Sequence, residues 1–536
     1  MSYKKRTGSY YTPQYLAEFM VDHILKNVSL SGEVNVLEPS VGEGSFLRAY
    51  SRLTIPKEIR KVSIHSVDKS KRAITQSKKS IEQFKLDRCQ YRFLAQDFLK
   101  FQRGNDNKFS IIAGNPPFIK TSRLFKWQLE ACSSIHKNAG LKNQRVRNIW
   151  PSFVIRCSDM LDDSGVLAFV LPSDLLQTNY SRELREFLFS KFQRIEIFTF
   201  RELIFECKGQ HTIILFGFRS HESKGLYFTD ITSKNELLKG EFQISQNTLL
   251  VQSETKWSHH SLASEDISFL NKLKTKLGRM QDYCSSKPGI VTAANNFFII
   301  DRETEKRFEL SKYSKAIIQN GFSVNGGVTF TGDDLKALVR SDKPSKVLNF
   351  PEQPITKFSA GVKRYLQQGV RDEINRGYKC SNRKKWFVIP NITKASDAFF
   401  FRRVHEYPKF LKNDAGVLVT DAAYVVDVHE QVDIETLIYS FYNSLTLTFA
   451  ELNGRVYGGG VLELTPSEFK MLPIPYKVSP KIQFPDFCVS FKKKNNIGEI
   501  LDVSDLNLLH AGLGLSAEEI VRVQTIRKGL VARRSG

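Results

Sequence analysis

A repeated alternation of short apolar runs with helical stretches, between residue 10 and about residue 219, places the strongest constraint on the fold. Near its start, Thr12 and Pro13 have the pattern of a helix N-cap followed by a first-turn proline. Five apolar runs, each bounded by polar or glycine-containing segments, are typical of buried strands: 34–37, 62–67, 91–94, 109–113 and 166–171. Strands separated by helices form βαβ units and a mostly parallel sheet with helices on both faces, so we predict an α/β domain over residues 1–225.

The second half of the chain has a different character. Its segments are shorter, less periodic and richer in basic and aromatic residues, as at 382–387. This change predicts an irregular α+β domain over residues 226–496 and a short helical tail over 497–536. Within the tail, Ser516 and Glu519 form a capping box before apolar residues at helical spacing.

The excess of basic over acidic residues indicates which class of molecule the protein binds. Lys and Arg total 79 and Asp and Glu total 56, so the net charge is +23, which indicates a polyanionic partner. The 40 Phe residues suit base stacking where they alternate with basic residues, but composition alone favours a Phe-rich core. With 41% hydrophobic and 25% charged residues, the composition is that of a soluble globular protein and excludes intrinsic disorder.

The sequence predicts neither a metal nor a membrane partner. The seven cysteines are scattered, with no Cys-x-x-Cys pair and no His at ligand spacing, so we expect neither a structural zinc site nor a disulfide framework. The first residues lead into a polar segment instead of the apolar core of a signal peptide, and no apolar stretch reaches about 18 residues. We therefore expect a cytoplasmic protein.

The end of the first predicted strand has the features of a ligand-binding turn. Glu38 and Pro39 end the strand, and Gly42 and Gly44 follow before a helix begins. Ligands of open parallel sheets bind at the carboxyl ends of strands, where glycines let a ligand approach the backbone closely. The Gly-x-Gly spacing by itself is equally typical of an ordinary turn.

Acidic residues also follow the next two predicted strands. Asp68 is placed to accept both hydroxyls of a ribose, and Asp97 to accept from an adenine amino group, with Phe98 beside it as an aromatic wall. Each Asp taken alone is as consistent with a helix N-cap. Because Glu38, Asp68 and Asp97 follow three successive strands, the pattern favours an adenosine-containing cofactor.

The fourth predicted strand ends in a rigid loop, which contains Asn115, Pro116, Pro117 and Phe118. Two prolines remove two N–H donors and fix two φ angles, so the carbonyl groups of the loop remain available as acceptors. Asn115 Oδ1 and the Pro116 carbonyl can both accept from one exocyclic NH₂ group, while Phe118 offers a flat face to the ring that carries it. The alternative is a stiff turn without a chemical role.

Together these segments resemble the gamma-class adenine amino-methyltransferases that act on DNA. The segments that match are the loop 115–118, the turn 38–44 and the segment 7–13 before the first helix. The resemblance implies a Rossmann-like S-adenosylmethionine-dependent methyltransferase domain followed by an α+β target-recognition domain. It also implies transfer of a methyl group from S-adenosylmethionine to the exocyclic amino group of an adenine that is flipped out of double-stranded DNA.

The resemblance further implies roles for individual residues. The set expected to bind S-adenosylmethionine is Tyr11, Thr12, Glu38, Pro39, Gly42, Gly44, Asp68, Asp97, Phe98 and Asn115. The expected catalytic set is Asn115, Pro116, Phe118 and Phe205. Phe118 stands where the family most often has Tyr, a change that preserves stacking. Phe205 matches the second aromatic wall around the base, with Phe198 and Phe200 as alternatives.

The second predicted domain supplies candidates for DNA contact. Segments 287–298 and 457–466 resemble parts of recognition domains in the same class, and basic residues cluster near 383 and 402. The candidates are Lys287, Asn295, Asn296, Arg383, Lys384, Arg402 and Arg403. A solvated charged face is the alternative interpretation of each basic cluster.

Three other functions share part of this pattern. Protein glutamine methyltransferases and some RNA methyltransferases also carry Asn-Pro-Pro followed by an aromatic residue, but they are usually shorter, and the long basic second domain favours DNA. A catalytically inert DNA-binding subunit would need a broken loop, whereas every polar position in the loop is intact. The cofactor motifs start within the first dozen residues, which predicts no amino-terminal nuclease. We expect a monomeric, nucleoid-associated bacterial enzyme, either solitary or paired with a separate restriction endonuclease.

Overall fold

The computed structural model describes residues 12–52, 57–82, 88–102, 108–142, 146–201, 211–248, 250, 256–324, 326–341, 343–390, 392, 394–457, 459–476, 484–493 and 496–535. The chain divides into two compact units. The first unit runs to Ile267, and the second comprises Ser268–Val456 and Gly460–Ser535. The boundary expected at 225/226 falls inside the first unit, because strands at Gly225–Ile231 and Ser245–Gln246 extend its sheet.

A nine-stranded mixed sheet forms the framework of the first unit. Its strands are β1 (Gly32–Glu38), β2 (Ile59–Asp68), β3 (Cys89–Ala95), β4 (Phe109–Gly114), β5 (Leu161–Pro172), β6 (Arg194–Phe200), β7 (Thr212–Phe218), β8 (Gly225–Ile231) and β9 (Ser245–Gln246). The order across the sheet is β3-β2-β1-β4-β5-β7-β6-β8-β9. Strands β1 to β5 are parallel, and β7 runs antiparallel between β5 and β6. Each of the five predicted strands lies within one of β1 to β5, so the predicted parallel core is confirmed.

Helices bury both faces of this sheet. They are α1 (Gln14–Asn27), α2 (Ser45–Ser51), α3 (Lys71–Ile81), α4 (Lys126–Asn138), α5 (Trp150–Met160), α6 (Asp174–Gln177), α7 (Arg182–Lys191) and α8 (Lys234–Lys239). Alternate residues of β5 enter two different apolar clusters. Val166 and Ala168 cluster with side chains of α1 and α2, whereas Leu167 and Phe169 cluster with side chains of α5 and α7. Because both faces of β5 are buried over residues 166–171, these successive residues are all apolar and form a continuous apolar run in the sequence.

Helix α1 begins one residue later than expected and is anchored to β6. Pro13 occupies the N-cap position because it takes an extended backbone (φ −54°, ψ 142°), and no side chain caps the helix, so the assignment of Thr12 as N-cap was wrong. Further along the helix, His23 Nε2 lies 2.7 Å from Glu196 Oε2, and Arg194 Nε donates to Glu196 Oε1 at 2.5 Å. Burial opposes ionisation of Glu196, but these hydrogen bonds outweigh burial and lower its pKa.

The second unit is an irregular α+β arrangement, as predicted. Its strands are β10 (Gly278–Arg279), β11 (Cys284–Pro288), β12 (Ile299–Ile300), β13 (Ser314–Ile318), β14 (Lys346–Leu348), β15 (Ala398–Phe401), β16 (Arg403–Val404), β17 (Lys409–Lys412), β18 (Leu418–Val419), β19 (Ala423–Val428), β20 (Arg455–Tyr457), β21 (Val461–Glu463) and β22 (Pro473–Ile474). They form small sheets in the orders β11-β19-β15-β17, β12-β14-β13-β18, β16-β21-β20 and β10-β22.

The helices between and after these strands are mostly short. They are α9 (Ser264–Lys274), α10 (Met280–Tyr283), α11 (Asn295–Phe298), α12 (Arg302–Arg307), α13 (Gly332–Arg340), α14 (Ala360–Arg371), α15 (Tyr378–Ser381), α16 (Ile434–Phe441), α17 (Ser444–Asn453), α18 (Pro466–Lys470), α19 (Phe484–Lys492), α20 (Ile497–Asp505), α21 (Ala511–Leu513) and α22 (Ala517–Ser535). Phe side chains such as Phe298, Phe350 and Phe387 fill the core beneath them, in keeping with a Phe-rich core.

The carboxy-terminal helices are an integral part of the second unit. The predicted capping box is confirmed, because Ser516 N–H donates to Glu519 Oε2 at 2.9 Å and Glu519 N–H donates to Ser516 Oγ at 3.2 Å. Helix α22 packs along α17. Near its end, Arg534 Nε donates to Glu451 Oε2 at 2.8 Å, and both side chains are almost completely buried.

Neither a membrane span nor a disulfide is found in the described ranges. No helix there is long and apolar enough to cross a bilayer. The six cysteines within these ranges are free thiols. Burial raises the pKa of Cys284 to about 12 and that of Cys157 well above its ordinary value, so neither is a reactive thiolate near neutral pH.

Candidate functional site

Four parallel strands bring the predicted site residues together at the carboxyl-terminal edge of the sheet in the first unit, where these strands end. Because β3, β2, β1 and β4 are neighbours with the same direction, their carboxyl ends lie side by side. Glu38 ends β1, Asp68 ends β2, Asp97 follows β3 and Asn115 follows β4. The strand order reverses between β1 and β4, and open α/β sheets bind ligands at such a point.

The loop after β1 requires glycine. Gly42 and Gly44 adopt left-handed conformations, with φ of 51° and 79°. A Cβ atom at Gly44 would lie 2.7 Å from Ser80 Oγ and 3.2 Å from Ser77 Cβ, so a side chain would collide with helix α3. Gly44 N–H donates to the Val41 carbonyl at 2.9 Å and closes the turn before α2. The Gly-x-Gly spacing therefore reflects both backbone conformation and close packing.

Hydrogen bonds connect this loop to the neighbouring strand ends. Gly42 N–H donates to Asp68 Oδ2 at 3.1 Å. Ser40 Oγ donates to the main-chain carbonyl of Asn115 at 2.9 Å. The loops after β1, β2 and β4 therefore form one connected structure, in which Ser40 positions the backbone of the Asn-Pro-Pro loop.

The Asn-Pro-Pro loop lies against the loop after β1. A Cβ atom at Gly114 would lie 3.4 Å from Pro39 Cδ, so the two loops are in close contact. Pro116 is buried, whereas Asn115 and Phe118 are half-buried. Phe118 packs against the apolar cluster that contains side chains of α5. The loop is held between Pro39 and the core, in keeping with the rigidity expected of two consecutive prolines.

Glu38 is the most deeply buried acid of this edge, with 1% of its surface exposed. Within the described part of the chain, its Oε2 atom has no hydrogen-bond partner. Burial, followed by the nearby charge of Asp68, raises the pKa of Glu38 well above its ordinary value, although Arg48 opposes this. A buried carboxyl group with an unsatisfied oxygen is stabilised in its ionised form when a cation binds beside it.

The two aspartates are more open and already accept hydrogen bonds from the backbone. Besides the bond from Gly42, Asp68 accepts from Ser70 N–H at 2.8 Å, and burial raises the pKa of Asp68 in spite of both bonds. Asp97 Oδ1 accepts from Leu99 N–H at 2.9 Å and caps a short 3-10 turn. Asp97 therefore acts as a cap, whereas the N-cap of α3 is Ser70 and Asp68 joins two loops. The remaining lone pairs of both carboxylates can still accept from a ligand.

Gln128 of α4 joins the site although no sequence pattern indicates it. Its Nε2 atom donates to Asp97 Oδ2 at 2.8 Å, across a separation of 31 residues. Its Oε1 atom accepts from Phe125 N–H at 3.0 Å. Phe125 is the N-cap of α4, and 72% of its surface is exposed. The buried Gln128 amide thus links the carboxylate after β3 to an exposed aromatic residue in the segment after the Asn-Pro-Pro loop.

Two other predicted cofactor residues are enclosed by protein. Phe98 is buried, and its ring packs on Phe153 with centroids 4.8 Å apart. Thr12 is also buried, and its carbonyl accepts from Ser45 Oγ at 2.8 Å. Thr12 is thereby tied to the start of α2, next to the loop after β1.

Two predicted residues, Tyr11 and Phe205, lie outside the described residues. Of the alternatives to Phe205, Phe198 is fully buried in the core that contains α1 side chains, and Phe200 is half-buried against the same core. The ring of Phe198 therefore packs inside the first unit.

Three basic DNA-contact candidates of the second unit, Arg402, Arg403 and Lys384, form ion pairs with acids. Arg403 Nε donates to Glu463 Oε2 at 2.7 Å, and Arg402 Nε lies 3.8 Å from Glu463 Oε1. Lys384 pairs with Glu352. Pairing with acids reduces the net positive charge that these residues present.

The remaining candidates are divided between two places. Arg383 Nη2 donates to the Thr292 carbonyl at 2.8 Å, and Thr292 Oγ1 donates to Asn295 Oδ1, so Arg383 and Asn295 lie together. Asn295 and Asn296 are both exposed. Lys287 lies on β11, where its Nζ is 3.9 Å from an aspartate on β19.

Two protein families match successive parts of the chain. The family described as Eco57I restriction-modification methylase matches residues 35–205, which include the four strand ends. The family described as Type II methyltransferase M.Eco57I, C-terminal domain, matches residues 254–509. The two matches follow each other along the chain much as the two compact units do.

Curated relatives of similar length match most of the chain. The Type II methyltransferase M.AccI of Acinetobacter calcoaceticus is 23% identical over 489 residues, which cover 87% of this chain and 85% of the relative. The Type II methyltransferase M.BanIII of Aneurinibacillus aneurinilyticus is 20% identical over 533 residues, which cover 86% and 88%.

Among solved structures, the Type IIL restriction-modification enzyme MmeI in complex with DNA has a TM-score of 0.59 at 12% identity. The match covers 98% of this chain and 75% of that one. The cryo-EM structure of the DrdV–DNA complex has a TM-score of 0.51 at 11% identity and covers 91% of this chain and 57% of that one. This likeness confirms the fold class, a large mixed α/β sheet followed by a separate domain.

Proposed function

We propose that this protein, whose homologues are Type II restriction-modification methyltransferases, is a DNA adenine methyltransferase. It transfers a methyl group from S-adenosylmethionine to the exocyclic amino group of an adenine flipped out of the duplex. It serves a restriction-modification system as the modification component, with a separate endonuclease, or works alone. We further propose that it acts as a monomer on the DNA of the bacterial nucleoid.

One observation carries this proposal. The Asn-Pro-Pro loop is held by the Ser40–Asn115 hydrogen bond at the sheet edge where Glu38, Asp68 and Asp97 also lie. An acceptor loop specific for an amino group therefore adjoins three acids that suit an adenosine-containing cofactor. This combination favours an amino-methyltransferase over a protein that only binds a nucleotide.

The residues of this edge fit S-adenosylmethionine. The unsatisfied Oε2 of Glu38 suits the cationic methionine end, because a positive charge there stabilises the buried carboxylate. Asp68 would accept from the ribose hydroxyls and Asp97 from the adenine amino group. The left-handed backbone at Gly42 and Gly44 lets the loop approach the ligand without a side chain in the way. When bound, S-adenosylmethionine supplies an activated methyl group on a sulfonium.

The chain's own residues prepare the target nitrogen. The lone pair of an adenine amino group is delocalised into the ring, which makes the nitrogen a poor nucleophile. Asn115 Oδ1 and the Pro116 carbonyl would accept its two protons and favour tetrahedral geometry at nitrogen, so the lone pair becomes available for attack. Because Ser40 and Pro39 hold the loop, the two acceptors are positioned before the substrate arrives.

Flipping the base costs a few kcal/mol, which stacking on aromatic side chains offsets. Phe118 adjoins the acceptor pair and is half-buried, so one part of its ring packs on the core while another remains accessible. Phe205 is the second proposed stacking residue. The net charge of +23 favours a nucleic acid as the partner that delivers the base.

Methyl-transfer assays distinguish the candidate substrates. Purified protein is incubated with S-adenosylmethionine labelled on its methyl group and with duplex DNA, RNA or protein substrates in separate reactions. We expect label in duplex DNA and background in the other two. Label in RNA or on glutamine side chains, with none in DNA, would replace the proposal by one of those functions.

Cofactor binding should depend on pH through Glu38. The raised pKa of Glu38 without ligand means that the carboxyl must lose its proton to pair with the cationic methionine end. Affinity should therefore fall as the pH drops through that pKa and level off above it. Replacing Glu38 by glutamine should weaken binding about tenfold or more above the pKa and flatten the pH profile. Calorimetry in two buffers of different ionisation enthalpy measures both the affinity and the proton released.

The matched control is Glu43→Gln, because Glu43 lies on the same loop and is exposed. This variant should keep the affinity and pH dependence of the wild type. If Glu38→Gln also retained both, the cofactor's cationic end would have to bind elsewhere.

The salt dependence of DNA binding tests the candidates Arg402 and Arg403. If they bind phosphates, the double alanine variant should flatten the slope of log affinity against log salt by about 0.9 for each phosphate that is no longer neutralised. Because both arginines share Glu463, each must exchange that partner for a phosphate. Lys336→Ala, which removes an exposed lysine paired with Asp333, is the control. An unchanged slope in the double variant would show that the pair with Glu463 is only structural.

A further inference from the structure

A cleft in the second unit combines features that the proposed chemistry does not use. Its volume is about 730 Å³, and its walls come from residues 291–295, 373–374 and 377–380 together with Asp421. The segment 291–295 follows β11, and the segment 373–380 follows α14. Both walls belong to the second unit, whereas the strand ends described above belong to the first.

The backbone is strained on both sides of this cleft. Ala293 and Glu373 have φ of 68° and 57°, and they are two of the four non-glycine residues with positive φ in the described ranges. Such conformations cost of order 1–3 kcal/mol each and persist where the surroundings enforce them. Here Arg383 bonds to the Thr292 carbonyl at 2.8 Å, and Ala294 N–H donates to Thr292 Oγ1 at 3.2 Å. The cleft is therefore a preformed feature.

The two most exposed aromatic side chains in the described chain belong to the second unit, and one of them lines this cleft. Tyr378 is 83% exposed and lines the cleft itself. Phe322 is 87% exposed on a short turn in which Asn320 Oδ1 accepts from its N–H at 3.1 Å. Gln319, just before this turn, accepts from Thr420 Oγ1 at 2.7 Å, and Thr420 precedes Asp421 of the cleft wall in the sequence. We call Tyr378, Phe322 and the cleft walls the aromatic face.

Positive charge exceeds negative charge in the segment that carries Tyr378. Residues 371–385 contain six Lys and Arg side chains and two Asp and Glu side chains, although Arg376 pairs with Glu373 and Lys384 with Glu352. The cleft itself is lined by Lys379 and by the acids Glu373 and Asp421. Exposed aromatic rings amid positive charge are the combination that stacks on bases while neighbouring cations contact phosphates. Asn295, on the opposite wall, is exposed and has an amide that can bond to a base edge.

We infer that the aromatic face contacts the bases of the target duplex, with Tyr378 and Phe322 stacking on or between bases. This inference rests on the proposed function, because it assigns the DNA contacts of the same enzyme. It adds the walls of the cleft to the candidates for DNA contact, beside the ion-paired Arg402 and Arg403. Insertion of an aromatic side chain would also help to unstack the duplex for base flipping.

The test uses Tyr378→Ala, Tyr378→Phe and Phe322→Ala in the full-length protein. The target duplex is first identified by sequencing the adenines that the wild type methylates. At fixed salt, Tyr378→Ala should bind this duplex about ten- to a hundredfold more weakly, whereas Tyr378→Phe, which keeps the ring, should stay within about twofold. Phe322→Ala should show a loss of the same order as Tyr378→Ala. The affinity for S-adenosylmethionine should not change in any of them.

Leu506→Ala is the matched control, because Leu506 is an apolar side chain of the second unit that is 60% exposed on the carboxy-terminal helices. It should bind the duplex like the wild type. If the wild type methylates DNA and both Tyr378→Ala and Phe322→Ala keep its affinity and methylation pattern, the inference is overturned while the proposed function stands. A wild type that binds S-adenosylmethionine but methylates no DNA would overturn the proposed function, and this inference with it.

Discussion

Replacing Asn115 by alanine is expected to lower the rate of methyl transfer by about 10²–10³, because one preorganised acceptor at the reacting nitrogen is removed. The Ser40 bond to residue 115 uses the main-chain carbonyl and should survive the substitution. The loop should therefore keep its place, and binding of S-adenosylmethionine and of DNA should remain close to wild type. Single-turnover transfer of labelled methyl groups, with both binding constants measured separately, checks this prediction.

Asn138→Ala provides the control, since Asn138 is exposed at the end of α4 in the same unit. Its transfer rate should equal that of the wild type. If Asn115→Ala transferred methyl groups within a few-fold of the wild type, the Asn-Pro-Pro loop would not be the active-site loop.

Among the substitutions proposed, replacing Arg534 by alanine should lower the free energy of unfolding the most, by about 3–5 kcal/mol. The substitution leaves a buried carboxyl group without its ion-pair partner. Arg534 bonds to Glu451 Oε2 at 2.8 Å and Oε1 at 3.0 Å, and its Nη2 donates to the Glu406 carbonyl at 3.1 Å. Burial raises the pKa of Glu451, and Arg534 opposes this shift. Without the arginine, the buried carboxyl group loses the partner that stabilises its ionised form. Chemical denaturation followed by circular dichroism gives the change in the free energy of unfolding.

Lys528→Ala is the control on the same helix, because Lys528 is exposed, and it should change the free energy of unfolding by less than about 0.5 kcal/mol. The double variant Arg534→Ala, Glu451→Ala should lose less than the sum of the two single variants, since the pair is coupled. Wild-type stability in Arg534→Ala would mean that α22 is not anchored through this pair.

The parallel half of the first sheet was predictable because each of its strands contains a short run rich in apolar residues, bounded by polar or glycine-containing segments. β5, for example, places Val166 and Leu167 in opposite clusters, which produces an unbroken apolar run. The acids at the strand ends were predictable for the same reason, since a carboxylate directly after such a run must lie at the sheet edge. β8 begins at the predicted boundary, and β9 has only two residues, too few for a strand to be predicted from the sequence.

The supporting contacts of the site were not predictable, because they join residues far apart in sequence. Ser40 bonds to a carbonyl 75 residues later, and Gln128 reaches Asp97 across 31 residues. The ion pairs of Arg402 and Arg403 were not predictable for the same reason, because their partner Glu463 is distant in the sequence.

Methylation of adenine at the Asn-Pro-Pro loop can be tested by base-resolution sequencing of modified DNA. DNA from a host without other methyltransferases is treated with S-adenosylmethionine and either the wild type or Asn115→Ala. We expect N6-methyladenine at one recurring sequence after treatment with the wild type and none above background after treatment with the variant. Methylation confined to cytosine, or equal adenine methylation by both proteins, would rule out adenine methylation at this loop.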